Sequence, residues 1–321
     1  MIPIRFENKL KLPKTVQLNR QQQIAQNLIL RSKIFQAVRD FFTHHHFLEI
    51  DTPIRIPAPA PEPFIAALPA GDWYLQTSPE LCMKQLLAAG HSKIFQICKC
   101  FRKEERGSRH LEEFTMLEWY EAGAAYHDLM NRCETLFLFI CNILQIEKGI
   151  RYRRHYTDMT PPWERLSVED AFIRYASLTM QDAIKSDQFD EIIAFDIEPN
   201  LGLDKPIFLY DYPATTCPLA APRPDQPHLA QRFELYINGL ELCNGFTEVR
   251  DPDEQRRRFT EELTRRQNTG QAVYPMPEKF LDDLHLMPEA AGNALGLDRL
   301  VMLFADAASI DEVVAFTPEE L

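Results

Sequence analysis

The stretch FRKEERGSRHLEEFTMLEWY, residues 101–120, constrains this chain more than any other part of it. It opens with Arg102 and Glu104 two apart and passes through a polar turn containing Gly107. It returns with Phe114, Met116, Glu118 and Tyr120 alternating against Thr115, Leu117 and Trp119. Alternation with a period of two marks a half-buried strand, so two antiparallel strands joined by a loop at 105–112 are expected. On such a hairpin Arg102 and Glu104 share a face, as do Phe114, Met116, Glu118 and Tyr120. One surface then carries a guanidinium fork, an aromatic platform and a carboxylate. These groups suit a nucleotide beside a small cationic substrate. An ordinary surface hairpin with a salt bridge has the same pattern, and two further segments weigh against it.

The first, residues 233–248, reads FELYINGLELCNGFTE. Its Asn238-Gly239 dipeptide is favoured in tight hairpin turns. The return strand presents Glu241, Asn244 and Glu248, and Gly245 is a candidate bulge that would change which face later residues point to. Carboxylates on a rigid sheet near phosphates suit Mg²⁺, which takes one or two of them plus phosphate oxygens. A helix follows, with Asp251 as N-cap, Pro252 at the first position and Glu254 completing a capping box. The second, residues 292–304, reads GNALGLDRLVMLF. Gly292, Ala294 and Gly296 leave one face of a short strand bare, so a flat ligand or another backbone can approach. The apolar run after Asp298 reads as a helix, with Arg299 at an N-terminus where phosphate is favoured.

In this order the three segments resemble the catalytic domain of class II aminoacyl-tRNA synthetases, within them the lysine, aspartate and asparagine group. Residues 101–120 match the second class motif and 292–303 the third. FLEIDTP at 47–53 is similar to the first, with Pro53 as its dimer-interface proline. ELCNGFTE and Ser78-Pro79-Glu80 are closer still to lysyl-type enzymes. The likeness runs from about residue 30 to the end. Residues 1–29 read as a polar, extended arm, too short for the independently folded barrel that grips an anticodon. The chain therefore resembles the barrel-less lysyl-type paralogues that modify elongation factor P. Ala294 agrees with this, since lysyl synthetases have glycine there. Two stretches depart from those paralogues: Leu111-Glu112 stands where Asn-Pro is expected, and 216–220 is nearer to the synthetases.

The resemblance implies an α+β fold, a class II synthetase-like antiparallel sheet flanked by helices over 30–321. It also implies a helical insertion at about 145–200 and a homodimer formed through the first motif. It implies activation of (R)-β-lysine or lysine by ATP with Mg²⁺, then transfer to a lysine side chain of elongation factor P. Arg102 and Arg299 would be the catalytic residues, on the α- and γ-phosphates. Glu104, His110 and Phe114 would hold adenine, and Lys103, Leu111, Leu242 and Gly296 would complete the ATP site. Glu241, with Glu248, would hold the metal. Ser78, Glu80, Glu118, Tyr120, Asn244, Glu248 and Ala294 would receive the amino acid. The alternatives are a tRNA-charging enzyme and a non-catalytic regulator, although Arg102 and Arg299 are both present.

Composition bounds the rest. A net charge of −12 over 321 residues argues against a large nucleic-acid footprint, so no stable nucleic-acid partner is expected. Lys99, Arg102, Lys103, Arg106 and Arg109 form a local exception that could serve ATP or steer an acidic protein partner. Seven cysteines without a CxxC, no signal peptide and no membrane-length apolar run place the chain in a reducing cytoplasm. His44-His45-His46 reads as a solvated helix end. The remaining expectations are helices at 30–47, 78–90, 128–145 and 168–176, a strand at 73–75, an extended connection at 53–63 and a basic turn at 151–154.

Overall fold

The computed structural model describes residues 19–321, so most of the expected arm lies outside the described residues. Its last part is helical rather than extended. Asn19 caps a short turn, α1 (Arg20–Gln23), and α2 (Ala25–His44) follows at once. This helix begins before the expected residue 30 and buries Ile34, Val38, Phe41 and Phe42, the stripe that its 3.6-residue period dictates. Then come β1 (Leu48–Glu49), β2 (Arg55–Ile56), β3 (Pro69–Ala70), β4 (Trp73–Leu75) and α3 (Glu80–Ala88). The hairpin is β5 (Lys93–Phe101) and β6 (Glu113–Ala122), and α4 (Tyr126–Ile143) leaves it.

The stretch 145–200 departs from the helical expectation. It starts with β7 (Gly149–Tyr152), β8 (His155–Asp158) and β9 (Glu164–Ser167) before α5 (Val168–Tyr175), α6 (Met180–Lys185) and α7 (Phe189–Ile192). The basic turn is the tip of the β7–β8 hairpin, where Arg153 and Arg154 take positive φ. Four-residue strands are too short to register as a period, which is why they escaped. The helices beyond them begin where Ser167 and Thr179 cap free N–H groups.

The chain continues through β10 (Ile207–Pro213), β11 (Leu229–Ile237), β12 (Leu240–Thr247), α8 (Pro252–Asn268), α9 (Glu278–Asp283), β13 (Ala290–Gly296) and α10 (Leu297–Ala305). Asp251 caps α8 as expected, but Glu254 does not close a capping box. Its carboxylate takes Arg257 and Arg258 instead.

Eight strands form one sheet in the order β1-β5-β6-β13-β12-β11-β10-β9. The pairs from β5 to β10 are antiparallel, and the parallel edges are β1 on β5 and β9 on β10. Helices α2, α4 and α10 cover one face. Phe42 stacks on Phe95 at 4.9 Å and leans on Trp119, within a core that includes Leu117, Phe137 and Leu300. Strand alternation sends Met116, Glu118 and Tyr120 to the opposite face. That second face carries the site. No helix among the described residues is long and apolar enough to cross a membrane.

Candidate active site

A cavity of about 180 Å³ lies on the second face, over β6, β13 and β12. Helix α3 and the chain between β2 and β3 enclose it. Strand β13 works as its ruler. Gly292, Ala294 and Gly296 point into it, paired with Tyr120, Glu118 and Met116 on β6. A Cβ on Gly292 would sit 2.2 Å from the Tyr120 ring and 2.7 Å from a Glu248 oxygen, so those groups occupy the space of the missing side chain.

At the Gly292 end, Lys84 Nζ lies 2.5 Å from Glu80 Oε1 and 2.5 Å from Glu248 Oε2, with the lysine side chain 1% exposed. At the level of Ala294, Glu118 accepts hydrogen bonds from Ser78 Oγ at 2.6 Å and Tyr120 Oη at 2.9 Å. Ser78 also accepts from the Glu80 N–H at 3.0 Å, so it serves the start of α3 and the pocket together. Burial, then the charge of Glu80, raises the Glu118 pKa to about 8. Burial likewise raises Glu248 to about 8, although Lys84 opposes it. The pocket thus holds more carboxyl groups than its own cation balances. The stations at Glu118 and Glu248 follow β13 from Ala294 to Gly292, two residues or roughly 7 Å. Two ammonium groups on one flexible chain fit that spacing.

Raised carboxylate pKa values make stability depend on pH. Between about 4.5 and 8 the folded state holds protons that the unfolded state has released, so stability from these groups is full below that window and lost as pH rises through it. Melting temperatures of the wild type and Glu118→Gln across this range should differ in slope, the wild type losing more towards pH 8. Parallel curves would remove Glu118 from the buried, charge-crowded position assigned to it.

At the Gly296 end the groups suit a polyphosphate and a flat ring. Arg102 lies 5.1 Å over the Phe114 ring, and its buried Nε has no hydrogen-bond partner. Arg299 binds Glu241 Oε2 at 3.0 Å and His110 Nε2 at 2.5 Å. Burial, then the Arg299 charge, lowers the His110 pKa to about 4, leaving a neutral ring that accepts from the guanidinium. Burial would raise Glu241, but Arg299 outweighs it and keeps this carboxylate ionised. Leu111, Leu242 and Gly296 line the cavity.

Several placements differ from the sequence-based expectation. Strand β5 ends at Phe101, so Arg102 and Glu104 are loop residues and not neighbours on one strand face. Glu104 takes φ 65°, which turns its side chain away to Lys103, and neither residue lines the cavity. Glu112 fixes that turn by accepting the Glu104 N–H at 2.6 Å. The bulge falls at Leu242 rather than Gly245, because the β11–β12 register shifts between Leu235–Cys243 and Tyr236–Glu241. It has a consequence for the site. Glu241 and Asn244 are three residues apart, which strict alternation would put on opposite faces, and the bulge brings both to the cavity. Gly245 is small because Phe233 and Asn293 fill the place of its Cβ.

The metal pair also changes. Glu241 and Glu248 are separated by seven residues of extended chain, roughly 20 Å, and Glu248 is committed to Lys84. They cannot share an ion. The carboxylates electrostatically coupled to Glu241 are Glu234 and Glu198, each pushed upward by burial, with Glu198 reaching about 7. Among the described residues no group of three or more His, Cys, Asp or Glu is arranged to hold a metal. Glu241 and Glu234 carry hard oxygen donors of the kind Mg²⁺ takes, although Arg232, Tyr212 and Tyr236 hold the Glu234 carboxylate here.

The basic loop cluster is internally paired. Lys99 meets Glu113, Lys103 meets Glu104, and Arg106 is held by Asp311 and Glu319. Arg109 donates to Gly239 O at 3.0 Å. A free positive patch is therefore not what this loop presents. Glu62, Lys84 and Asp298 had no role in the sequence reading. Asp298 accepts the Thr115 N–H at 2.6 Å and pairs with Arg31, fixing α10 against β6. The helical position of Lys84, four after Glu80, was the one signal available for it. All seven cysteines are free, and the His44 and His45 rings bond to backbone carbonyls of α2.

The sequence pattern of the tRNA synthetases of class II (D, K and N) matches residues 7–320. An elongation factor P--(R)-beta-lysine ligase of Pectobacterium atrosepticum is 39% identical over 314 residues, covering 91% of this chain and 95% of that protein. Its namesake from Pectobacterium carotovorum is 38% identical over the same shares. A lysine--tRNA ligase of Psychrobacter cryohalolentis is 34% identical over 316 residues, which span 90% of this chain and 61% of that enzyme.

Proposed function

Because the chain belongs to the class II tRNA synthetases of the D, K and N group, we propose that it is an ATP-dependent ligase that joins (R)-β-lysine to elongation factor P. The observation that carries the reading is a cavity lined by Glu118, with Glu248 buried against its Gly292 end roughly 7 Å along β13, beside an arginine-lined nucleotide end. The similarity to ligases of that name over almost their whole length supports the acceptor.

In this reading the amino acid lies along β13 with its carboxylate at Arg102 and its distal ammonium at Glu248. The carboxylate attacks the α-phosphate in line, giving an acyl-adenylate and pyrophosphate. A lysine amine of the factor then attacks the acyl carbon, forming an amide and releasing AMP. Positioning and charge neutralisation are the protein's share of this chemistry. Arg102 holds the carboxylate and the α-phosphate together, and Phe114 stacks the adenine. Arg299, released from Glu241 and His110, takes the far end of the triphosphate. Mg²⁺, held by Glu241 with Glu234, would neutralise phosphate charge. The deciding experiment is mass spectrometry of elongation factor P after incubation with enzyme, ATP and each lysine isomer, with tRNA as a parallel acceptor. A mass gain on the factor is expected; charging of tRNA alone would overturn the proposal.

Ala294 sits between Glu118 and Asn244, so its methyl group bears on where the substrate backbone rests. Ala294→Gly is expected to shift preference towards α-lysine by roughly ten- to a hundred-fold, the usual effect of one methyl-sized change in a pocket. Isomer-resolved pyrophosphate exchange measures it, and an unchanged ratio would place discrimination elsewhere. The 216–220 segment does not line the cavity.

We further propose a cytoplasmic homodimer through the first motif, where Leu48 and Ile54 are exposed on either side of Pro53. A monomeric mass by light scattering would refute the dimer.

A further inference from the structure

Glu62 belongs to none of the three motifs, yet it lines the cavity. It arrives on the chain between β2 and β3, opposite the sheet. That segment is held in place from several sides. Arg266 on α8 donates to the Glu62 and Ile65 carbonyls, the Lys103 N–H donates to Ala66 O at 2.7 Å, and Tyr274 Oη accepts the Ala67 N–H at 2.8 Å. Phe64 takes φ 63°, an uncommon conformation for a bulky residue, and its ring is exposed while Glu62 lines the cavity. A strained turn and three anchors over-determine the position of one carboxylate.

The other acidic groups of the amino-acid end already have partners. Lys84 serves Glu80 and Glu248, while Ser78 and Tyr120 serve Glu118. The Glu62 carboxylate makes no hydrogen bond or ion pair with the described residues. The charges that act on it are Glu80 and Lys84 from α3, Arg102 beyond β5 and Arg232 from β11, and it in turn acts on Glu118 from β6. Burial first, then Glu80, raises its pKa to about 7. A carboxylate that lines the same cavity as Arg102, feels its charge and has no partner of its own faces the part of a substrate that adjoins the reacting carboxylate.

Resting on the diamino-acid reading above, we propose that Glu62 is a specificity-determining residue that takes the substrate ammonium nearest the reacting carboxylate. Glu118 then shares that amine from the sheet side, and Glu248 keeps the distal one. Selection for an amine beside the carboxyl group follows from Arg102 and Glu62 lining the same cavity, one group for each sign.

Pyrophosphate exchange with (R)-β-lysine, L-α-lysine and 6-aminohexanoate, which lacks the nearer amine, separates the possibilities in the wild type, Glu62→Gln and Glu62→Asp. Glu62→Gln should raise KM for the preferred diamine about ten-fold or more, the usual scale for a charge-assisted contact, and shift 6-aminohexanoate about two-fold or less. Glu62→Asp should keep most of the preference. In the wild type, KM for the diamine should fall as pH rises through about 7, and Glu62→Gln should leave only the fall near 8 that Glu118 and Glu248 supply. A preference retained in Glu62→Gln, or an equal loss for all three substrates and for ATP, would overturn the assignment. Calorimetric titration of the same three compounds without ATP repeats the comparison independently of catalysis. Absence of exchange with any diamine would sink the ligase reading, while the binding comparison would still decide Glu62.

Discussion

Replacing Arg102 by alanine is expected to lower adenylate formation at least about a thousand-fold while the protein stays folded. Its guanidinium stands at the junction of the two half-sites without a hydrogen-bond partner for its buried Nε, and the nearest carboxylate, Glu105, is 3.9 Å away. The described residues give this group no hydrogen-bond partner of its own, which leaves its donors for a phosphate and a carboxylate. Contacts that strengthen as charge builds on the reacting oxygens lower the barrier and not only KM. Lysine at this position should fail as well, because a point charge cannot bridge two anions as the planar fork does. Pyrophosphate exchange together with a melting curve tests both variants. Near wild-type exchange in either one would take Arg102 out of the reaction.

The second large effect is on stability. Lys84→Met should destabilise the ligand-free protein by about 3–5 kcal/mol, the usual cost of removing one partner from a buried ion pair. The methionine fills the same volume but leaves Glu80 and Glu248 facing each other without a cation. A chain of this size should lose on the order of 10 °C in melting temperature. The loss should shrink as pH falls through about 8, because Glu248, already raised to about 8 beside Lys84, takes up a proton more readily without it. A diamine should recover part of it at neutral pH by supplying the missing positive charge. Unchanged melting at pH 7.5 would mean that the buried triad contributes nothing.

Much of this site was legible in one dimension because its chemistry is carried by short strands with a simple rule. Alternation in 113–122 sorted Leu117 and Trp119 to the core and Glu118 and Tyr120 to the cavity, as observed. The small residues of β13 and the arginine at the head of α10 were equally plain. Glu104 was misread because a strand pattern was extended three residues past the strand's end, into a turn whose left-handed φ no periodicity announces. The metal pair was misread because residue type was taken without distance.

The sequence by itself determined the central strands of the sheet in the three motif segments, the helix behind each motif and the kinship to class II synthetases. Those features depend on local periodicity and on residue order, which a chain displays before it folds. Only the tertiary structure decided the partners. Lys84 meets Glu248 across 164 positions, Asp298 meets Thr115 across 183, and Arg106 meets Glu319 across 213. It also decided that a bulge at Leu242 turns Glu241 into the cavity, and that a turn far from every motif delivers Glu62 there. Such outcomes depend on where burial leaves a charge without water, and that is a property of the packed molecule rather than of any segment.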